Sequence, residues 1–476
     1  MAADGEALVL TPESMRRWAP SKTFVPRTPP DSAPEARELQ WFAGAAMSGT
    51  GERAVVSTTD GQLHAIHPAG GYLQALHRNE AFGVRAMTFT HHSASIVYAA
   101  GKSIGTRSGT IVQHRLHDNT ATRMHSAHGE TRVVCVSVCP TRDIFASTDE
   151  AGNVMLWHMG ACNAVATTRV GSSANLTCFD ATGTVFVVAG PDCGVALYSV
   201  ASFMMGPFKT SAAPAALLRK RVRAAIVPAG SDRGAASAAA AGADSGSAGP
   251  ASSSARGGGS VEEHDERWTH LACSPDGKIL ALTTSLGAVH LLNAFDLTIL
   301  ADVPEHTEIP AGAAGAAAGA AAGAEATAGA GPAAATPTVL GRPDGTAMAA
   351  SAFSPCGSCL VRPTACGRPE AIFLGAFASM EAGKPFDRVD AGKLPRALLG
   401  EAAGGSDESR HADPIIGVVM HPTRALVLSF SAKAAALWTP PPIHKSVGAS
   451  GKAAGEGGAA ATAGAGTAAA AAKPSA

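Results

Sequence analysis

The 476-residue chain predicts an all-β fold, a seven-bladed β-propeller interrupted by disordered Ala/Gly-rich insertions. Three observations predict it. A strand–turn–strand–turn–strand pattern occurs seven times in order along the chain. Within each copy apolar residues alternate with period two, as a half-buried antiparallel strand requires. Over the first four copies the spacing from one first strand to the next is roughly 40 to 47 residues, the period of one propeller blade. A unit of three or four short strands cannot bury both faces of its own sheet. Stacking such sheets radially buries those faces and leaves few exposed edges.

The clearest copy spans residues 271–292. Its Ser274-Pro275-Asp276-Gly277 suits a type I turn, with Pro at the second position and Gly at the fourth. The same unit appears at 134–157, where Gly152-Asn153-Val154-Met155-Leu156-Trp157 forms the third strand, at 352–374 and at 417–438. Weaker copies run over 45–66, 87–116 and 177–198. The last three copies lie farther apart, and each extra length coincides with a low-complexity or irregular stretch. The seventh copy stops at Trp438 before three prolines, so it lacks a fourth strand. Lys22-Thr23-Phe24-Val25, ahead of the first copy, is the segment expected to supply it and to close the ring.

This organises the chain as an N-terminal extension (1–20), a propeller (21–440) with insertions at 210–259, 304–346 and 381–412, and a tail (441–476). The insertions and tail carry few large apolar side chains to offset the entropy of ordering, so disorder is expected there. Within the first insertion, Arg219-Lys220-Arg221-Val222-Arg223 is a basic cluster that reads either as a nuclear-localisation signal or as a solvated charge run.

Composition narrows the function classes. Lys plus Arg number 37 and Asp plus Glu 38, so no charge excess demands nucleic acid or an acidic membrane. Nine cysteines without framework spacing predict a reducing compartment. The stretch 311–335 is alanine and glycine, too weakly apolar for a transmembrane helix, and residues 1–14 lack a signal-peptide pattern. A soluble intracellular chain is expected.

Catalytic signatures are not found. The chain has no G-x-S-x-G, P-loop or dinucleotide fingerprint. Cys356 and Cys359 have C-x-x-C spacing, but there is no second pair to complete a metal site, and they overlie the repeat's turn. His91 and His92 also fall on a turn. His128, Ser147 and Trp157 sit where a WD-type blade buries a polar chain of His, Ser/Thr, Asp and Trp. Ala151 stands where the Asp is expected, which predicts an incomplete chain with a structural role. Trp438 ends the third strand of the seventh copy in the same way. No enzyme and no cofactor are expected.

Several segments carry a more specific resemblance. They are Leu10-Thr11-Pro12-Glu13-Ser14-Met15-Arg16, Gly83-Val84-Arg85-Ala86-Met87-Thr88-Phe89-Thr90-His91 leading to Ile96-Val97-Tyr98, and Leu116-His117-Asp118-Asn119. Ser202-Phe203-Met204-Met205-Gly206-Pro207-Phe208, Trp268-Thr269-His270-Leu271 with Asn293-Ala294-Phe295, and Leu437-Trp438-Thr439-Pro440 complete the set. Together they resemble the WD-repeat subunit of COMPASS-type histone H3 lysine methyltransferase complexes. That subunit is shared with phosphatase and cleavage-and-polyadenylation complexes. His117, Asp118, Asn119, Phe203, Gly206, Pro207 and Phe208 carry the distinctive part. The resemblance implies a nuclear, non-catalytic scaffold that joins a SET-domain methyltransferase and other COMPASS-like subunits, associates with chromatin indirectly and has no membrane partner. It also implies recognition of the phosphorylated C-terminal repeat of RNA polymerase II and contact with phosphatase-complex subunits. Phosphate recognition needs convergent cations, for which Arg85, Lys102, Arg115 and Arg132 are the candidates. The competing reading is a generic WD-repeat adaptor, such as a ubiquitin-ligase substrate receptor or an mRNA 3′-end processing subunit.

Overall fold

The computed structural model describes residues 10–26, 41–79, 82–102, 108–171, 175–217, 266–306, 350–381, 384–401 and 410–441. Most of the Ala/Gly/Ser-rich insertions, the basic cluster at 219–223 and residues 442–476 lie outside this set.

Among the described residues, twenty-eight strands form seven four-stranded antiparallel sheets. Blade 1 is β2 (Phe42–Met47), β3 (Ala54–Thr58), β4 (Gln62–His67) and β5 (Tyr72–Arg78). Blade 2 is β6 (Met87–Phe89), β7 (Ser95–Ala99), β8 (Ile111–Arg115) and β9 (Thr120–His125). Blade 3 is β10 (Val133–Val138), β11 (Ile144–Asp149), β12 (Asn153–His158) and β13 (Ala164–Arg169). Blade 4 is β14 (Leu176–Phe179), β15 (Val185–Gly190), β16 (Gly194–Ser199) and β17 (Lys209–Ser211).

Blade 5 is β18 (Trp268–Cys273), β19 (Ile279–Thr284), β20 (Val289–Asn293) and β21 (Ile299–Val303). Blade 6 is β22 (Ala352–Phe353), β23 (Cys359–Arg362), β24 (Glu370–Phe373) and β25 (Arg396–Leu398). Blade 7 is β26 (Ile415–Met420), β27 (Val427–Ser431) and β28 (Ala435–Thr439), completed by β1 (Ala19–Phe24). The first strand of every blade touches the first strand of the next, and β26 touches β2, so the inner strands form a closed ring. Apolar clusters lie between successive sheets, where strand alternation aims the buried side chains of adjacent blades at one another.

Ring closure follows the sequence expectation. β1 pairs antiparallel with β28, with Pro20 opposite Trp438 and Phe24 opposite Ala435. Ser21 Oγ donates to Leu437 O at 3.1 Å. The strand begins two residues earlier than the sequence boundary, and the residues before it also belong to the fold. Helix α1 (Pro12–Arg16) starts on a Thr11–Ser14 capping box. Its Met15, and Trp18 just after it, are fully buried against blades 6 and 7. Gly400 meets Trp18 O at a φ of 78° that L side chains rarely adopt, so the chain passes close there.

Two insertion boundaries also shift. β17 occupies Thr210 and Ser211, at the start of the stretch read as insertion 210–259. β25 and His411 lie inside the stretch read as irregular at 381–412. Short outer strands of three residues carry too little alternation to register as strands from sequence.

A buried arginine of blade 6, ion-paired within its own sheet, ties that blade to blade 5. Arg362 on β23 binds Glu370 on β24 through Nε at 2.7 Å and Nη2 at 2.5 Å. Its Nη1 reaches back to blade 5, donating to Gly287 O at 2.9 Å and to Pro304 O at 2.6 Å. Thr283 and Ser351 share a further buried hydrogen bond across the same joint at 2.6 Å. Because Arg362 is fully buried, its charge is tolerated only with these partners in place.

Removing residues 1–25 strips blade 7 of its fourth strand and uncovers the apolar cluster beneath Met15 and Trp18. Thermal unfolding of the truncated chain is expected to begin at a clearly lower temperature and to lose cooperativity. Unchanged melting would mean that the ring does not depend on this pairing.

Candidate functional site

The strands run alternately up and down each blade, so connections divide between two faces. The upper face carries the loops joining second to third strands and those leading into each first strand. The lower face carries the turns joining first to second and third to fourth strands.

Inside blade 3 the buried polar chain is complete, contrary to the sequence expectation. Trp157 Nε1 donates to Ser147 Oγ at 2.7 Å, and Ser147 Oγ meets His128 Nε2 at 2.6 Å. His128 Nδ1 meets Asp149 Oδ2 at 2.9 Å. Asp149, two residues before Ala151, therefore takes the acid's place. Its Oδ1 also accepts from the backbone of Ala151 and Asn153, at 3.0 and 2.9 Å. Burial alone would raise this carboxyl's pKa. The hydrogen bonds from His128 and Asn153 outweigh that and hold it below the ordinary value. Because Ser147 Oγ accepts from the indole, its own hydrogen goes to His128 Nε2, and His128 donates from Nδ1 to the carboxylate.

A Ser–His–Asp arrangement of this kind has the connectivity of a hydrolase triad. Here Ser147, Asp149 and Trp157 are fully buried and the serine oxygen is already engaged by the indole. The array holds the upper loop of blade 3 in place, beside Glu150.

Blade 7 holds a second such array that the sequence reading missed. Trp438 Nε1 donates to Ser429 Oγ at 2.8 Å, Ser429 Oγ meets His411 Nε2 at 2.6 Å, and His411 Nδ1 meets Ser431 Oγ at 3.2 Å. Trp438 was visible from sequence. His411 was not, because it lies at the end of the stretch read as an irregular insertion.

Of the four predicted phosphate-binding cations, three gather on the upper face of blades 2 and 3. Arg85 precedes β6 and reaches across to blade 3, where its Nη1 lies 3.3 Å from Glu150 Oε1. Lys102 follows β7 and is held by its backbone to Phe82 O at 2.9 Å. Arg132 precedes β10, is exposed, and its carbonyl accepts from Glu150 N at 3.0 Å. Arg115 does not join them. It ends β8 on the lower face and pairs with Asp118 Oδ2 at 3.5 Å.

The family-like segments lie on the lower face. His117, Asp118 and Asn119 form the turn between β8 and β9. Asn119 adopts a φ of 54°, and its Oδ1 meets His114 Nε2 at 3.1 Å. Asp118 accepts from Thr120 Oγ1 at 2.7 Å. The hydrogen bonds from Thr120 are the main cause holding its carboxyl below the usual range. Between β16 and β17, Phe203 is buried against Phe186 and Tyr198, with ring centroids at 5.1 and 5.5 Å. This anchor turns its neighbours outward: Met204, Met205 and Phe208 are 68%, 87% and 60% exposed. Gly206, at φ 91°, and Pro207 make the bend between them. Val165 of the adjacent outer strand β13 is 68% exposed, and β13 packs on the 3-10 turn Phe203–Met205. Sequence flagged this segment as distinctive without showing that it exposes apolar surface.

Cys356 and Cys359 occupy the β22–β23 turn, where Cys359 N donates to Ser354 Oγ at 3.0 Å. Cys356 stands where Asp276 stands in blade 5. Among the described residues no three His, Cys, Asp or Glu side chains are placed to hold a metal ion. No helix among them is long and apolar enough to cross a membrane.

The His411 array gives a pH dependence. Ser431 is neutral where blade 3 has a carboxylate, and burial lowers the His411 imidazole to about 4. An unfolded imidazole titrates near 6.5. Between those values the unfolded chain binds the proton and the folded one does not. Stability from this group is therefore full above pH 6.5 and declines as pH falls towards 4, by about 3 kcal/mol in all. Denaturant midpoints measured across that window should fall with acid in the native chain and fall less steeply in His411→Gln. Equal slopes would show that His411 does not carry the effect.

No protein-family model matches the chain. Three curated relatives are similar to it. The Set1 complex component swd2 of Schizosaccharomyces pombe is 26% identical over 218 residues, 46% of this chain and 55% of that protein. WD repeat-containing protein 82 of Drosophila melanogaster is 24% identical over 160 residues, 34% of this chain and 49% of that protein. An uncharacterized WD repeat-containing protein of Schizosaccharomyces pombe is 23% identical over 230 residues, 48% of this chain and 55% of that protein. The chain spans about half the length of the curated relatives it matches. Seven four-stranded blades closed by the N-terminal strand make the chain a seven-bladed β-propeller, and the relatives it resembles are WD-repeat proteins.

Proposed function

We propose that this propeller is a non-catalytic scaffold subunit of a nuclear Set1-type (COMPASS-like) histone H3 lysine 4 methyltransferase complex. The observation that carries this reading is the similarity to a Set1 complex component, joined to the exposed apolar group on the lower face. Met204, Met205 and Phe208 project from a segment whose Phe203 is locked in the core. Exposed apolar side chains on a rigid base favour protein partners, because little ordering entropy is lost when they are covered. In this reading the lower face docks the SET-domain methyltransferase or another subunit of its complex, and association with chromatin is indirect.

The upper face then serves a second role, recognition of phosphorylated repeats of the RNA polymerase II C-terminal domain. Arg85, Lys102 and Arg132 supply cations from two adjacent blades. A phosphate carrying nearly two charges competes with the single charge of Glu150 for Arg85. Phosphatase-complex subunits are further candidate partners for the same scaffold.

Affinity purification of the tagged chain from nuclear extract, read by mass spectrometry, tests the first role. A SET-domain methyltransferase is expected among the recovered proteins. The triple variant Met204→Ala, Met205→Ala, Phe208→Ala is expected to lower that recovery at least about tenfold, a change of about 1.4 kcal/mol, while melting as the native chain does. Recovery of ubiquitin-ligase subunits without a methyltransferase would overturn the reading.

The second role is read by titrating synthetic phosphorylated and unphosphorylated repeat peptides. The phosphorylated form should bind more tightly, and Lys102→Ala with Arg132→Ala should remove most of the difference. Equal binding of both peptides to the native chain would sink this part alone.

A further inference from the structure

The joint between blades 1 and 2 contains two imidazoles in an otherwise apolar cluster. On β5, His77 follows Ala75 on the same face, and Ala75 packs on the cluster formed by Leu63, Ala65, Tyr98 and Val112. On β8, His114 lies between Val112 and Leu116, both members of that cluster. Side chains two apart on a strand share a face, so both rings point into one seam from opposite blades. Their centroids are 6.5 Å apart, and both residues are buried.

Each ring has a nitrogen with no partner. His114 uses Nε2 on Asn119 Oδ1 and its Nδ1 is buried and unpartnered. His77 Nε2 is likewise buried and unpartnered. Added protons would place unpaired N–H donors and two like charges in the seam. The surrounding groups help little. Arg53, on the blade 1 side, opposes protonation of His77. Asp118 favours it at His114, but this carboxylate is already engaged by Thr120, Arg115 and His117. Asn79 and Tyr98 hydrogen-bond to each other, and His64 lies on the opposite face of β4, edge-on to Phe42. Burial is the main cause lowering both imidazoles from their ordinary value.

We propose that this seam is an acid-sensitive joint, closed while His77 and His114 are neutral and loosened when they take up protons. The joint lies next to the connector from blade 1 to blade 2. Asn79, two residues after His77, accepts from Phe82 N and Gly83 N at 3.2 and 3.0 Å, and Phe82 O in turn holds Lys102 N. Loosening the seam therefore frees the backbone that positions Arg85 and Lys102. The inference does not depend on what binds those cations.

Amide hydrogen exchange of the full chain, corrected for the intrinsic rate, reads the joint directly. Between about pH 7 and about pH 5, protection of residues 75–79 and 95–99 should fall at least about tenfold, while residues 185–190 of blade 4 keep theirs. The double variant His77→Gln, His114→Gln should lose this local response. The proposal is overturned if seam and reference strands respond in parallel, or if the double variant responds as the native chain does. Should that variant not fold, NMR titration of the native imidazoles decides: His77 and His114 must titrate below 6.5, and either titrating at or above it ends the proposal.

Discussion

The pairing of β1 with β28 is the constraint on which the rest of the molecule depends. It joins Ala19 to Thr439, residues separated by nearly the whole described chain. Closing so long a loop costs entropy only logarithmically in its length, and one strand's hydrogen bonds plus the burial of Met15 and Trp18 stand against that cost. Without it, blade 7 would keep three strands and expose the edge of β28. The closure also has a seam on its inner side, where Phe42 N donates to Ala432 O at 2.9 Å. At the opposite end of the same joint, the turn at Gly51 packs so closely on His421 that a Cβ would collide with the ring.

What closure makes rigid, buried polar groups make specific. The blade 3 and blade 7 arrays use the same directional chain, indole to serine to imidazole, and differ in the last acceptor. Blade 3 ends in a carboxylate that also takes two backbone N–H groups, so the array fixes the loop carrying Glu150. Blade 7 ends in Ser431, which stabilises no positive charge, so its histidine stays neutral over most of the working pH range. The Arg362–Glu370 pair applies the same logic across a joint, because its remaining donors reach carbonyls of the neighbouring blade. In each case a buried polar group is tolerated because hydrogen bonds or an ion pair compensate it, and each fixes one register between elements.

The number of blades and the origin of the closing strand were legible in the sequence, because both depend on alternation and turn chemistry that are local. Ser274-Pro275-Asp276-Gly277 announces its turn without help from the rest of the chain. Features that depend on spatial neighbours were not legible. Asp149 and Ala151 differ by two positions, and only the fold of the β11–β12 loop decides which reaches His128. β17 and β25 are three residues long and exist because β16 and β24 offer them an edge. His411 gains meaning only beside Ser429 and Trp438. The division of the cations had the same cause: Arg115 follows Arg85 and Lys102 in sequence, yet it ends a strand that runs to the other face.

That division separates two kinds of surface on one scaffold. The upper face of blades 2 and 3 carries charge on loops held by backbone bonds and by Asp149, with Lys102 and Arg132 exposed and Arg85 held largely buried against Glu150, suited to a charged segment that binds and leaves. The lower face of blade 4 carries apolar side chains on a turn anchored by Phe203, suited to a contact that excludes water. Charged contacts at a rim govern rates and selectivity, and desolvated apolar contacts govern residence. A ring whose blades are locked to one another can present both surfaces at once without either deforming the other. At the joint between blades 1 and 2, His77 and His114 each keep one buried ring nitrogen without a partner, beside the connector that holds Lys102. Between blades 5 and 6 the buried Arg362 guanidinium instead meets carbonyls across the joint, so the histidine seam is a place where the upper face can respond to its surroundings.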